Sequence, residues 1–148
     1  METCENTIII FLQKWQGILR LRDWEISVVL ADKDWRKSGD IKIDQDNKLA
    51  ALMINQNLNY SHLEAVVIHE LVHLKLWGMD QMIEDLMSSV YGSDKEDPKH
   101  SFAYGEFMGI LESTTQDLTK ALISATGEER KMFSKRIERE VNKELGKV

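Results

Sequence analysis

The chain has 148 residues, of which 43% are apolar and 30% charged, and this balance predicts one globular domain over residues 1–148. It argues against a disordered, collagen-like or membrane protein. The 25 acidic residues outnumber the 19 basic ones and give a net charge of −6. Nucleic acid is therefore not expected as a partner, because phosphate contacts need clustered cations.

The single cysteine, Cys4, can form no disulfide within the chain, which favours a reducing compartment such as the cytoplasm. The first apolar run, residues 8–12, follows acidic residues and is too short for a signal sequence or a membrane span. We therefore expect a cytoplasmic protein without a membrane anchor.

The hydrophobic periodicity in the first third of the chain predicts one helix followed by a small sheet. Apolar residues recur at helical spacing up to about residue 21. Residues 24–30, 39–44 and 49–55 are short, alternating or apolar segments typical of strands. They predict a three-stranded, mostly antiparallel sheet.

From residue 60 onward the periodicity is helical. Ser61 and Glu64 have the spacing of a capping box, in which each side chain bonds a backbone N–H of the other. Gly78 is typical of a helix C-terminus. The sequence therefore predicts one helix up to residue 77 and a second over residues 79–90.

Two further helices are predicted in the last third of the chain. Asp97 as N-cap and Pro98 as the first helical residue predict a helix to about residue 125. Thr126 and Glu129 repeat the capping-box spacing and predict a C-terminal helix. That helix carries an apolar stripe, which would pack on the body or form a homo-oligomer: Phe133, Ile137, Val141 and Leu145.

The helix that begins near residue 60 contains His69, Glu70 and His73 in the pattern HExxH. At this spacing both imidazoles leave one helix face about 6 Å apart, so their nitrogens can converge on one tetrahedral zinc ion. Glu70 can reach a water on that ion and take its proton as general base, which suits hydrolysis of an amide. Cobalt, nickel or manganese would also accept these ligands. The alternative is a chance match, but two of only four histidines fall in it.

A catalytic zinc needs a third protein ligand. Glu112 shares a helix face with apolar residues, so we expect its carboxylate to point inward, where a metal would offset the cost of burying a charge. Glu106 and His100 are weaker candidates, since His100 is expected at the surface. His62 lies about 10 Å along the helix from His69 and is too far to share the ion.

The HExxH motif followed by Glu112 in a later helix resembles the gluzincin branch of the zincin metallopeptidases, and more narrowly the small phage- and prophage-type zincin-like proteins. The similarity covers about residues 20–125. It implies a zincin-like α+β fold, with zinc held by His69, His73 and Glu112 and with Glu70 as general base. It also implies that a peptide lies along residues 49–55 as an edge strand.

The sequence departs from the larger gluzincins at Gln116, where those enzymes often have an acidic residue. Asp85, Asp117 or a backbone carbonyl would then support His69 through its second nitrogen. An oxyanion donor is also expected, and the candidates are Tyr91, His100 and Tyr104.

The predicted function is zinc-dependent hydrolysis of peptide bonds in an intracellular protein or peptide. Three alternatives stay open: a non-catalytic, metal-stabilised binding or regulatory module, a regulatory protease that cuts one cognate repressor, and a helical interaction protein that uses the C-terminal stripe and no metal.

Overall fold

The computed structural model describes residues 2–126 and 128–147, apart from the side chains of residues 2–3 and 128–134. Helices and strands follow in the predicted α+β order: α1 (Glu2–Ile18), β1 (Glu25–Ala31), β2 (Gly39–Asp44), β3 (Leu49–Asn55), α2 (Tyr60–Tyr91), α3 (Pro98–Thr126) and α4 (Glu128–Glu144). No helix in the described part combines the length and the apolarity that a bilayer crossing requires.

The sheet is mixed, and its strand order is β1-β3-β2. β3 pairs with β1 in parallel and with β2 in antiparallel, so the expectation of a mostly antiparallel sheet is wrong for one of the two pairs. The expectation that residues 49–55 form an edge is also wrong, because β3 has a partner on each side. The near-continuous apolar sequence of β3 explains this position, since Leu52 and Ile54 are fully buried.

α2 is one unbroken helix of 32 residues, so the predicted stop at Gly78 is wrong. Gly78 costs the helix about 1 kcal/mol relative to alanine, which packing against α3 outweighs. The helix ends instead at Gly92, whose φ of 86° is open to glycine.

The predicted capping box of α2 is also wrong. Asn59 is the N-cap and makes no side-chain capping bond. The Glu64 carboxylate turns toward α1, where it accepts hydrogen bonds from Trp15 Nε1 at 2.7 Å and from Lys14 Nζ at 2.9 Å. These bonds fix α2 against α1.

The predicted start of α3 is confirmed, because Asp97 Oδ1 accepts from the backbone N–H groups of Lys99 and His100 at 2.9 and 3.3 Å. At the other end, the Thr126 hydroxyl donates to the carbonyl of Ile123 instead of capping α4, and the side chain of Glu129 lies outside the described residues. Of the predicted stripe on α4, Phe133 also lies outside the described side chains, while three members are exposed: Ile137, Val141 and Leu145. Pairing through α4 stays a prediction.

The core lies between one face of the sheet and the helices α1 and α2. Its fully buried side chains include Ile8 and Trp15 of α1, Leu52 and Ile54 of β3, and Ile68 of α2. α2 packs on α1, β2, β3 and α3 and is therefore the central element of the fold. Its position is fixed from several sides, which makes it a rigid base for side chains that face β2 and α3.

Candidate metal centre

α2 places His69, Glu70 and His73 in a cleft of about 780 Å³. β2 and the residues before it form one wall, and α3 contributes Glu112 and Gln116 to the other. The buried faces of Ile68 and Leu71 hold this part of α2 in the core. The histidine pair is thus fixed by a packed helix and needs no loop to position it.

The two histidines and Glu112 converge on one point. His69 Nε2 and His73 Nε2 lie 3.2 Å apart. Glu112 Oε2 lies 3.4 Å from His69 Nε2, and Glu112 Oε1 lies 3.0 Å from His73 Nε2. Among the described residues, these three form the one group of histidine, cysteine or acidic side chains close enough together to hold an ion.

The separation of the two histidine nitrogens fits a tetrahedral ion. Nitrogen and oxygen ligands that lie 2.0–2.1 Å from zinc at tetrahedral angles are about 3.3 Å from one another. The separation of the two histidine nitrogens, 3.2 Å, is close to this value. Glu112 approaches His73 and His69 at 3.0 and 3.4 Å through different carboxylate oxygens, and one ligand atom from each of the three side chains lies within 4.8 Å of the other two. Two imidazoles and one carboxylate would leave a fourth position open toward the cleft, as in catalytic zinc sites.

Glu112 reaches the site by a different route from the one predicted. Its side chain is 53% exposed, so it does not point into an apolar interior. The buried face of α3 carries Leu111, Thr115 and Thr119 instead. Glu112 follows Leu111 in the helix and therefore lies beside this face, where it lines the cleft. The argument from the cost of a buried charge is therefore wrong, although the structure brings this residue to both histidines.

The weaker ligand candidates lie elsewhere. Glu106 is exposed and does not line the cleft. His100 is only 4% exposed, against the expectation of a surface histidine, and it lines a separate small pocket on the outer part of α2 and α3. His62 lines the cleft but does not belong to the convergent group, in agreement with the predicted distance along the helix.

None of the three expected oxyanion donors lines the part of the cleft that the structure describes. Tyr104 shares the small pocket with His100, where burial and the nearby carboxylates of Glu84 and Asp80 raise its pKa. Tyr91 ends α2 and is 41% exposed. The donor for a developing oxyanion was thus not found at the positions that the sequence suggested.

Gln116 supports His69, a contact that the sequence reasoning missed. Gln116 Oε1 lies 3.0 Å from His69 Nδ1. An amide oxygen only accepts, so His69 carries its proton on Nδ1 and turns the lone pair of Nε2 toward Glu112. The alternatives do not take this role, because Asp85 lines the small pocket and Asp117 is exposed. The sequence signal for this contact was the spacing of Gln116, four residues after Glu112, which places both side chains on the same face of α3.

We expect Gln116→Ala to weaken zinc binding about 10- to 100-fold, the usual effect of removing such a supporting hydrogen bond. Gln116→Glu retains the acceptor and should bind zinc at least as tightly as the wild type. Titration against a chromophoric chelator measures both affinities. Asp117→Asn, a neighbouring change outside the cleft, is the control, and an equal loss in it would contradict the role of Gln116.

Glu70 has the surroundings expected of a general base. It is 7% exposed, lines the cleft and makes no hydrogen bond to another described residue. Burial raises its pKa to about 7, with smaller contributions from the negative charges of Asp40 and Glu112. Asp40 is itself paired with Lys37 and Lys42, each at 3.1 Å. The Glu70 carboxylate is therefore free to take a proton from a group in the cleft.

Compared with known proteins, the chain matches no protein-family model, no curated protein and no solved structure.

Proposed function

We propose that this protein is a zinc-dependent peptidase. His69, His73 and Glu112 hold the ion, and Glu70 is the general base. The observation that carries the proposal is the convergence of two imidazole nitrogens, 3.2 Å apart, and one carboxylate, with one ligand atom from each side chain within 4.8 Å of the others. The resemblance of the HExxH motif and Glu112 to the gluzincins points to the same chemistry.

The roles follow from the positions of the side chains. Zinc, when bound, supplies a Lewis acid that polarises the scissile carbonyl and lowers the pKa of water from 15.7 to about 7. Glu70 takes the proton of the attacking water and returns it to the leaving amine. Gln116 keeps His69 in the tautomer that offers Nε2. The packed helix α2 holds Glu70 beside the histidines throughout the reaction.

The substrate in this proposal is an extended peptide that pairs with β2. β3 already has two partners, whereas β2 has a free edge, and Gly39, Asp40 and Ile41 of β2 line the cleft. Along α2 the lining runs from His62 to Asp80, a span of about 27 Å by helix rise. This length accommodates about eight residues of extended chain.

Two variants test the proposal. The wild type should carry one zinc per chain, and His73→Ala should carry little or none, as measured by mass spectrometry of the metal in purified protein. Glu70→Gln should keep the zinc and lose at least about 100-fold in turnover of a peptide library. Equal zinc in wild type and His73→Ala would end the metal assignment. An unchanged rate in Glu70→Gln would remove Glu70 from the mechanism.

A second candidate function is a metal-stabilised binding module that does not cleave peptides. The observation that favours it is the position of Tyr91, His100 and Tyr104 outside the described lining of the cleft. Such a module would bind peptides and lose stability on chelation without cleaving any substrate. Zinc content together with peptide turnover distinguishes the two functions.

A further inference from the structure

Asn55, the last residue of β3, uses all the polar groups of its side chain in one buried junction. It is 7% exposed. Its Nδ2 donates to the carbonyl oxygens of Trp35 at 2.9 Å and of Lys37 at 3.0 Å. Its Oδ1 accepts from the backbone N–H of Asn57 at 2.8 Å, and its own backbone N–H donates to the carbonyl of Ser38 at 2.9 Å.

These bonds join two segments without regular structure at one end of the metal cleft. The first, residues 32–38, connects β1 to β2, and the second, residues 56–59, connects β3 to α2. The first leads directly into the cleft lining, which includes Lys37 and the start of β2, and the second contributes Leu58. Asn55 does not line the cleft itself. Its amide therefore holds the segments that form the cleft wall without itself facing the cleft.

The chemistry of the junction requires an amide of this length. The pairing of β2 with β3 begins at Gly39 and Ile54, so the carbonyls of Trp35 and Lys37 lie beyond the strand ladder. A carboxylate would place negative charge against two carbonyl oxygens and would lack the two donors. Unpaired buried carbonyls are costly, so the segment would move to find other partners.

We propose that Asn55 is a positioning residue for peptide binding, which holds the beginning of the free β2 edge at the place where an extended peptide pairs with it. This inference rests on the proposed function and deepens it. The metal ligands come from α2 and α3, and among the described residues their side-chain hydrogen bonds and ion pairs go to one another and to Gln116, not to the junction. Loss of the Asn55 bonds should therefore weaken contacts to the peptide backbone and leave contacts to the metal unchanged.

Two hydroxamates separate these contacts in the full-length, zinc-loaded protein. Acetohydroxamate reaches only the metal, whereas a tripeptidyl hydroxamate also extends along β2. The wild type should bind the tripeptidyl compound more tightly. Asn55→Asp should lose about tenfold of this gain, the equivalent of one to two hydrogen bonds. Its zinc content and its affinity for acetohydroxamate should match those of the wild type.

Asn57→Asp is the matched control, because it makes the same substitution at an exposed residue two positions further along the chain. This variant should bind the tripeptidyl hydroxamate more tightly than acetohydroxamate by the same factor as the wild type. Asn55→Ser keeps an acceptor for Asn57, introduces no charge, and replaces Asn55→Asp if that variant does not fold.

Four results would overturn the inference. If the Asn55 variants still bind the tripeptidyl hydroxamate more tightly than acetohydroxamate by the wild-type factor, the junction does not position the β2 edge. If they lose affinity equally for both compounds, the substitution damages the site in general. A wild type that binds acetohydroxamate but gains nothing from the peptide part would refute pairing with β2 while the metal centre stands. Absence of zinc and of binding by either compound would instead refute the proposed function itself, and this inference with it.

Discussion

Zinc at 100 times its dissociation constant should raise the free energy of unfolding by about 2.7 kcal/mol, because the ion binds the folded chain and not the unfolded one. His69 and His73 come from α2 and Glu112 from α3, so the three ligands meet only when the two helices pack together. For a chain of this length the gain corresponds to a rise of about 5–10 °C in the melting temperature. Differential scanning calorimetry with and without zinc measures it.

The matched control is His73→Ala, which should show no such gain in the same zinc concentration. Its melting temperature should resemble that of the wild type stripped of metal by a chelator. Calcium, which prefers more oxygen ligands than this group offers, should stabilise neither protein. A wild type whose melting temperature does not respond to zinc would contradict the metal centre independently of any assay of peptide cleavage.

The histidine pair was predictable from the sequence because its geometry is local. Residues four apart on a helix share a face, so His69 and His73 needed only the prediction that α2 is helical. Glu112 depends on how α3 crosses α2, which no local rule specifies. Its apolar neighbours suggested burial, but they face the core from an adjacent position on the helix, and the carboxylate is half exposed.

The strand segments were predictable, but their order in the sheet was not. Periodicity identifies a strand by its own residues, whereas pairing depends on contacts between distant segments. The antiparallel part of the expectation holds for β2 and β3, which only residues 45–48 separate in the chain. The parallel pairing of β1 with β3 required residues 32–38 to cross to the far edge, and this crossing gives β2 a free edge beside the histidine pair.

Local signals for helix ends failed where tertiary contacts were stronger. Gly78 is typical of a helix C-terminus, yet α2 continues through it. Ser61 and Glu64 have capping-box spacing, yet Asn59 is the N-cap and the Glu64 carboxylate bonds Trp15 of α1. Asp97 succeeded because its position follows an exposed loop where no other element competes for its side chain. Sequence rules for helix ends therefore hold best where tertiary contacts are few.

Gly39 allows β2 to lie directly against α2 at the proposed general base. A Cβ atom at this position would lie 2.5 Å from Val66 Cγ1, 3.3 Å from the carbonyl oxygen of Met53 and 3.4 Å from Glu70 Cγ. We expect Gly39→Ala to destabilise the protein by about 1–3 kcal/mol, since strand and helix must separate to admit the methyl group. Peptide turnover should fall as well, because the displaced strand borders Glu70. Urea denaturation measures the loss of stability.

Val66→Ala provides the decisive comparison, because it removes the Val66 methyl group that a Cβ at Gly39 would strike. In a double-mutant cycle, the cost of Gly39→Ala should be smaller in the Val66→Ala background, although the Met53 carbonyl limits the recovery. Gly105→Ala is the matched control: Gly105 is helical with open space around its Cβ position, so alanine should stabilise α3 by about 0.8–1 kcal/mol. A Gly39→Ala variant as stable as Gly105→Ala, or strictly additive costs in the cycle, would contradict a close contact between β2 and α2. Non-additive stability costs in the cycle, together with reduced peptide turnover in Gly39→Ala, would instead show that the position of β2 affects catalysis in the cleft.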